Sequence, residues 1–180
     1  MSTSSATSPF DPHRDNWWSK GSSRLAKQLC DASQFLRGLR VQLRFGRLTR
    51  APLHLLRFQI EEDVVECDWI ARLPDPWDAD LARDIGRRHA SLQALRDAID
   101  VRALLFHSLP QVETARLRIY GEESLHSREL LIDGYVNRGD SAFCSVRSLA
   151  MRAKLLGFRF SLENGILNRL NREDQLCVGD

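Results

Sequence analysis

Residues 75–110 read DPWDADLARDIGRRHASLQALRDAIDVRALLFHSLP, the longest stretch of the chain with a helical pattern. Asp75 and Pro76 are typical of a helix N-terminus. The aspartate oxygen can accept hydrogen bonds from the free N–H groups of the first turn, and the N–H that proline lacks would have no partner at this position. The apolar positions that follow have helical spacing: Leu81, Ile85, Leu92, Leu95 and Ile99, then Leu105 and Leu109. Pro110 ends the pattern, and Gly86 is a weak point near which the helix can divide. We therefore predict a helical spine at the centre of the fold.

Alternating apolar and polar residues on both sides of this helix predict paired strands. The alternating runs are residues 53–60, 65–73, 115–120 and 130–136. The first two runs are separated by a polar reversal at residues 61–63, and the last two by a polar loop at residues 121–128. Each pair therefore predicts a β-hairpin with one apolar face.

The C-terminal part of the chain adds a second helix and a third hairpin. Ser141 or Ser145 is expected to cap a helix that ends at Gly157. Asn164 and Gly165 separate two further short runs and are a strong hairpin signal. The order ββα-ββα-ββ predicts an α+β fold, with a mainly antiparallel sheet and the helices on one face.

A basic amphipathic helix is predicted in front of this body. Eight basic residues and one acid between Asn16 and Arg50 give that segment a net charge of +7, although the whole chain carries only +2. A helix should run from Ser22 or Ser23 to about Leu43. Its leucine seam has alternating steps of four and three, as in a coiled coil: Leu25, Leu29, Ala32, Leu36, Leu39 and Leu43.

This arm has three possible roles on sequence grounds. It can pack on the body of its own chain, pair with a helix of another protein or another copy, or lie on an anionic membrane or a nucleic acid. Two adjacent tryptophans before it can anchor in a partner or staple the arm to its own domain. The candidate partner-binding residues are Trp17, Trp18, Leu25, Leu29, Leu36, Arg37, Leu39, Arg40 and Arg44.

Composition shifts predict the domain organisation. Residues 1–21 are rich in serine and threonine and are expected to form a disordered tail. Residues 22–50 form the basic helical arm and linker, and Gly46 and Pro52 mark its boundary with the body. The α+β domain then covers residues 51–171, and residues 172–180 are expected to fray.

The composition favours a cytoplasmic bacterial protein. The sequence contains no run of about 18 apolar residues, so we predict no transmembrane helix. It also contains no apolar segment near the N-terminus, so we predict no secretory signal. The four cysteines form no close pair, which indicates a reducing compartment rather than a disulfide framework. The basic residues include only three lysines, as is typical of proteins from GC-rich genomes.

Sequence motifs for chemistry are sparse. No phosphate-binding glycine loop, nucleophile elbow or zinc-protease motif is present, and the five histidines occur singly. Cys144 precedes the second predicted helix, whose dipole can lower the pKa of a thiol, and His54, His107 or His126 could act as its base. A cysteine-nucleophile enzyme is therefore one alternative, but no cofactor or metal is expected.

The predicted outer face of the sheet carries arginines and tyrosines: Arg57, Arg72, Arg116, Arg118, Tyr120, Tyr135 and Arg159. These residue types are favoured at protein interfaces and also suit single-stranded nucleic acid. Cross-strand ion pairs would use the same residues, because Glu66, Asp68 and Asp133 lie among them. The interleaved acids favour ion pairs or a protein partner over phosphate binding.

These observations predict a non-enzymatic interaction or adaptor protein whose basic, leucine-striped helix docks on an acidic or helical partner. Three alternatives remain: a nucleic-acid-binding protein that uses the arm and the sheet face, a peripheral membrane protein, and the cysteine enzyme. Steep weakening of binding by salt is typical of the nucleic-acid alternative. The loss of binding on substitution of the seam leucines would favour helix docking.

Overall fold

The computed structural model of the chain describes residues 16–42, 53–61, 64–74, 78–124, 127–139, 143 and 145–170, and the description excludes the side chains of 16–25, 40–42, 122–124 and 127. Three helices and six strands form this part of the chain. In order they are α1 (Asn16–Gln42), β1 (His54–Glu61), β2 (Val64–Ile70), α2 (Arg83–Ser108), β3 (Thr114–Ser124), β4 (Ser127–Asn137), α3 (Leu149–Leu155), β5 (Phe158–Glu163) and β6 (Ile166–Asn168). The predicted α+β class is confirmed.

The six strands form a single sheet whose strand order follows the chain order, from β1 to β6. Four of the five strand pairs are antiparallel, and β2 pairs with β3 in parallel. The parallel pair is the one that α2 connects, because a chain that must enter the next strand in the same direction has to cross back along the sheet first. The mainly antiparallel sheet predicted from the sequence is thus confirmed.

One face of the sheet is apolar and carries the helices. Its buried side chains alternate along the four central strands: Val65, Cys67 and Trp69, then Ala115, Leu117 and Ile119, then Ile132 and Val136, then Phe158 and Phe160. They form one core cluster with buried residues of all three helices, including Leu95, Leu105 and Ala153. None of the helices in the described ranges is long and apolar enough to cross a membrane.

The three predicted hairpins are present, with one change in extent. Asn164 and Gly165 have φ angles of 51° and 82° and connect the paired residues Glu163 and Ile166, as a two-residue turn with two positive φ angles requires. β3 and β4 pair as far as Ser124 and Ser127. In its described part, residues 121–124 and 127–128, the predicted polar loop is therefore strand.

The spine helix differs from its predicted form at its start. α2 begins at Arg83, and its N-cap residue, Ala82, makes no side-chain capping hydrogen bond. The helix is continuous through Gly86. Asp75 and Pro76, the predicted cap, lie outside the described residues.

The predicted apolar stripe of the spine is wrong in its first half. Leu81, Ile85 and Leu92 are exposed, whereas Leu95, Leu105 and Leu109 are buried. Small residues face inward in the first half, and Ser91 Oγ accepts a 2.9 Å hydrogen bond from the N–H of Leu167 in β6. This close contact between the helix and the last strand leaves no room for leucine side chains.

The second predicted helix is shorter than expected. α3 is capped by Ser148, whose hydroxyl accepts a 3.3 Å hydrogen bond from the N–H of Met151, and the proposed caps Ser141 and Ser145 precede it. The predicted end is correct. Gly157 follows with a φ of 94°, and a Cβ built there would lie 2.3 Å from the carbonyl oxygen of Tyr135, so only glycine fits.

The far end of α2 is held by an arginine from the end of β4. The Arg138 guanidinium donates hydrogen bonds of 2.7 Å to the carbonyl oxygen of Phe106, 2.6 Å to that of Leu109 and 2.7 Å to that of Val112. The last carbonyl groups of a helix have no partner within it, and a cation there complements the helix dipole. Arg138 therefore satisfies the helix end and joins it to the sheet.

The prediction that Arg72 lies on the outer face of the sheet is wrong. β2 ends at Ile70, so the alternation of faces does not continue to residue 72. The Arg72 side chain is only 1% exposed, and its Nε lies 3.0 Å from Oδ2 of Asp97 in α2. Gln93 Nε2 donates a 2.7 Å hydrogen bond to Oδ1 of the same carboxylate.

This buried pair makes stability depend on pH. Burial raises the pKa of Asp97 to about 6, and the Arg72 charge only partly opposes this effect. The folded protein therefore holds the proton of the Asp97 carboxyl group more tightly than the unfolded chain does. The contribution of Asp97 to stability consequently falls as the pH rises from 3.8, its ordinary pKa, towards 6.

Replacing Arg72 with Met should reveal this dependence, because it leaves the Asp97 carboxylate buried without the guanidinium that faces it. We expect the free energy of unfolding to fall by about 3 kcal/mol at pH 8, and by less at pH 5, where Asp97 is largely protonated. Urea denaturation at both pH values measures the two losses. The Arg72→Met/Asp97→Asn double variant, which keeps an acceptor for Gln93, should regain most of the loss at pH 8. An equal loss at the two pH values would contradict this account.

Candidate functional site

The second half of α1 packs on the body of the protein. The Phe35 ring stacks on the Phe58 ring of β1, with 4.9 Å between centroids and 25° between planes. Phe35 and Leu39 are buried and belong to the core cluster. The helix therefore shares one core with the α+β body, and these contacts cross the predicted boundary at residue 50.

Gly38 lets α1 approach α2 closely. A Cβ built at Gly38 would lie 2.9 Å from Cδ1 of Leu104 in α2, a distance that real Cβ contacts do not show. Gly38 is thus a point of close contact between α1 and α2.

A different side of α1 carries exposed leucines. Leu29 is 62% exposed and Leu36 is 37% exposed. Residues seven positions apart lie on one side of a helix, about 10 Å apart along its axis. Arg37 is also exposed and borders these leucines on the helix surface. This side, named the outward face of α1, consists of Leu29, Ser33, Leu36 and Arg37.

The predicted leucine seam is therefore divided between two sides of the helix. Leu39 packs inward, whereas Leu29 and Leu36 face outward. Trp17, Trp18, Leu25 and Arg40 lie on α1, but their side chains are outside the described ones, and Arg44 lies outside the described residues.

Phe35 was not among the candidate residues of the sequence analysis. A signal for it is present in the sequence, because Gln28, Ala32, Phe35 and Leu39 also follow alternating steps of four and three. Phenylalanine fills the space between α2 and β1 that a leucine at position 36, one position further around the helix, does not reach.

The remaining predicted residues of the sheet face lie together on its outer side. Arg57, Arg116, Arg118, Tyr120, Tyr135 and Arg159 occupy alternate positions of β1, β3, β4 and β5, opposite to the core positions. The structure thus brings six of the seven predicted residues onto one surface, without Arg72.

The first group of ion pairs on this face centres on Arg118. Its Nε lies 2.8 Å from Oδ1 of Asp68, and its Nη2 lies 2.9 Å from Oε2 of Glu66. Arg57 Nη1 lies 3.1 Å from the same oxygen of Glu66. Burial alone lowers the pKa of Arg118, but the hydrogen bond and charge of Asp68 outweigh it and hold that pKa above its usual value.

The second group centres on Asp133, whose side chain is only 1% exposed. Arg116 Nε lies 3.4 Å from its Oδ1, and Arg159 contacts its Oδ2. The Arg116 guanidinium also lies over the Tyr135 ring, 5.3 Å from the centroid. The four arginines of this face are thus matched by three carboxylates, which favours a structural role over the binding of phosphates.

Of the residues predicted for a cysteine-nucleophile enzyme, the structure describes only two histidines. Cys144 and His126 lie outside the described residues, and His54 and His107 are exposed. Cys67 is buried among apolar side chains; burial, and to a smaller extent the charge of Asp68, raise the pKa of its thiol. No group of three histidine, cysteine, aspartate or glutamate side chains in the described ranges is placed to hold a metal ion.

Comparison with known proteins gives no assignment. No protein-family model matches the chain, and neither the curated proteins nor the solved structures contain a significant match.

The structural role of the sheet face can be tested at Asp133. Replacing Asp133 with Asn leaves Arg116 and Arg159 close together without their shared carboxylate. We expect a loss of about 2 kcal/mol in the free energy of unfolding, because the acceptor is buried although the arginines are partly exposed. Chemical denaturation measures this loss.

The matched control is Glu129→Gln, which breaks the more exposed pair with Arg169, 3.4 Å apart. It should cost no more than about 1 kcal/mol, as is usual for surface ion pairs. Equal effects of the two substitutions would show that Asp133 has no special role in holding the strands.

Proposed function

We propose that this protein is a non-enzymatic interaction module that recruits a partner through the outward face of α1. The observation that carries this proposal is the pair of exposed leucines, Leu29 and Leu36, on a helix already fixed to the body by other residues. Exposed leucines two turns apart on one side are the pattern with which a helix binds an apolar groove or another helix.

The charge of the arm indicates the chemistry of the partner. Arg37 borders the leucines, and the segment from Asn16 to Arg50 carries a net charge of +7. Complementary charge increases the rate of encounter and excludes basic competitors. The partner that fits best is an acidic amphipathic helix with apolar residues at matching positions.

The attachment of α1 supports this role. Phe35 and Leu39 hold the helix against α2 and β1, so a large part of the binding surface is ordered before a partner arrives. A helix that is already ordered avoids the entropic cost of folding on binding. The compact body thus serves as the platform for the helix.

The proposal can be tested with two synthetic peptides. The first is an acidic helix with leucines at a and d positions and glutamates beside them; the second has serines in place of the leucines. Fluorescence anisotropy with the full chain should show binding of the first peptide alone. The Leu29→Asp/Leu36→Asp variant should bind it at least tenfold more weakly, because each buried leucine contributes about 1.5–3 kcal/mol.

The control variant is Met151→Asp/Leu155→Asp, which changes two exposed apolar residues of α3 in the same way. It should bind the peptide as the unchanged protein does, and circular dichroism should show that both variants keep their helices. Equal binding by all three proteins would refute the proposal. Binding of a single-stranded oligonucleotide that falls steeply with salt and ignores the leucine substitutions would support the nucleic-acid alternative instead.

A further inference from the structure

The protein has a cleft of about 470 Å³, and none of the sheet-face ion-pair residues lines it. Its walls are the segment after β2, the first half of α2, and parts of β3, β4 and β6. Ligand-binding clefts for small molecules have volumes of roughly 300–1,000 Å³. The cleft is therefore large enough for a small organic ligand.

Two arginines give this cleft its charge. Arg83 and Arg87 line it from successive turns at the start of α2. Side chains four positions apart lie on the same side of a helix, so both guanidinium groups lie on the same wall of the cleft. Neither arginine forms an ion pair with another of the described residues. The acid that lines the cleft, Glu129, is 3.4 Å from Arg169 and is thus already matched.

The position of these arginines is unfavourable for the helix itself. The N-terminus of a helix is the positive end of its dipole, where acidic side chains stabilise and cations do not. The first turn of α2 holds one acid, Asp84, and Ala82 provides no side-chain cap. A negative group bound between Arg83 and Arg87 would relieve both the repulsion between the two arginines and the conflict of Arg83 with the dipole.

The inner wall of the cleft contains a buried ion pair in which the positive charge of Arg72 is already neutralised. Arg72 lines the cleft, but its guanidinium is buried against Asp97 at 3.0 Å. The anion is consequently held by the two arginines of α2, and the Arg72–Asp97 pair contributes the floor.

The remaining walls are apolar. Ala90 and Ala94 face the cleft from α2, and Leu131, Ile166 and Leu167 face it from the strands. The two small alanines leave the space that larger side chains would fill. A ligand that fits both walls carries one anionic group and an apolar body of a few carbon atoms.

We infer that this cleft binds a small organic anion, a carboxylate or a phosphate ester, with its charge between Arg83 and Arg87 and its apolar part against Leu131, Ile166 and Leu167. This site is separate from the outward face of α1, so it does not depend on the proposed partner. The cleft lies beside the segment that connects β2 to α2, and a ligand there would link this segment to the last strand.

The test uses the full chain and three probes: octanoate, phenyl phosphate and inorganic phosphate. Isothermal titration calorimetry should show saturable binding of octanoate or phenyl phosphate. Inorganic phosphate, which has no apolar part, should bind at least tenfold more weakly than phenyl phosphate. Equal affinity for inorganic phosphate and phenyl phosphate would overturn the inferred role of the apolar wall.

Two variants and one matched control locate the site. Arg87→Gln should weaken binding about tenfold, because one charge-assisted hydrogen bond is lost, and Ala90→Leu should abolish binding by filling the cleft. Arg88→Gln removes the same charge one residue further on, at a side chain that packs near Gly165 and does not line the cleft, and should leave affinity unchanged. Equal weakening by Arg87→Gln and Arg88→Gln, or no binding of any probe, would refute the inference.

Discussion

The parallel pairing of β2 with β3 is the constraint on which the rest of the structure depends. Parallel pairing requires a connection that runs back along the length of the strands before the next strand begins. This connection contains α2, which has 26 residues and a length of about 39 Å. A helix of this length, packed against the sheet and two other helices, buries polar groups that water no longer reaches. Several of them have partners elsewhere in the fold: Ser91 joins β6, Asp97 faces Arg72, and Arg102 bonds the end of β4, from which Arg138 reaches back to the end of the helix. The polar contacts of α2 thus join it to β6, to the segment after β2 and to the end of β4.

The outer face of the sheet shows why basic composition is a poor guide to free positive charge. Glu66, Asp68 and Asp133 occupy the middle strands and hold arginines from the strands beside them. Such pairs stabilise neighbouring strands and leave little net field above the sheet. Among the described side chains, Arg37 on α1 and Arg83 and Arg87 on α2 form no ion pair, so the two proposed binding sites share an electrostatic origin but differ in shape.

The sequence predicts the strands well, because a sheet with one buried face imposes alternation on every residue, as Leu117 and Arg118 show. The prediction from sequence is wrong where this alternation ends, and in helices that contact other elements on more than one side. Arg72 lies beyond the last paired residue of its strand, so its direction is set by Asp97 rather than by the pleat. In the helices, spacing alone does not identify which side meets the body: Leu92 has the right period and is exposed, whereas Phe35 forms the core contact of α1. The cleft was not predicted, because its walls come from distant parts of the chain.

The agreement between strand order and chain order has a consequence for the way this protein is made. Among the six strands described, each one adds to the edge left by its predecessor, and none has to enter between two strands already paired. Structures built mainly from contacts between neighbours in sequence fold faster than those that must first close long loops. During synthesis the sheet can therefore grow from β1 onward as the chain emerges from the ribosome. The longest delay falls between β2 and β3, because the whole of α2 has to be synthesised before β3 can pair with β2.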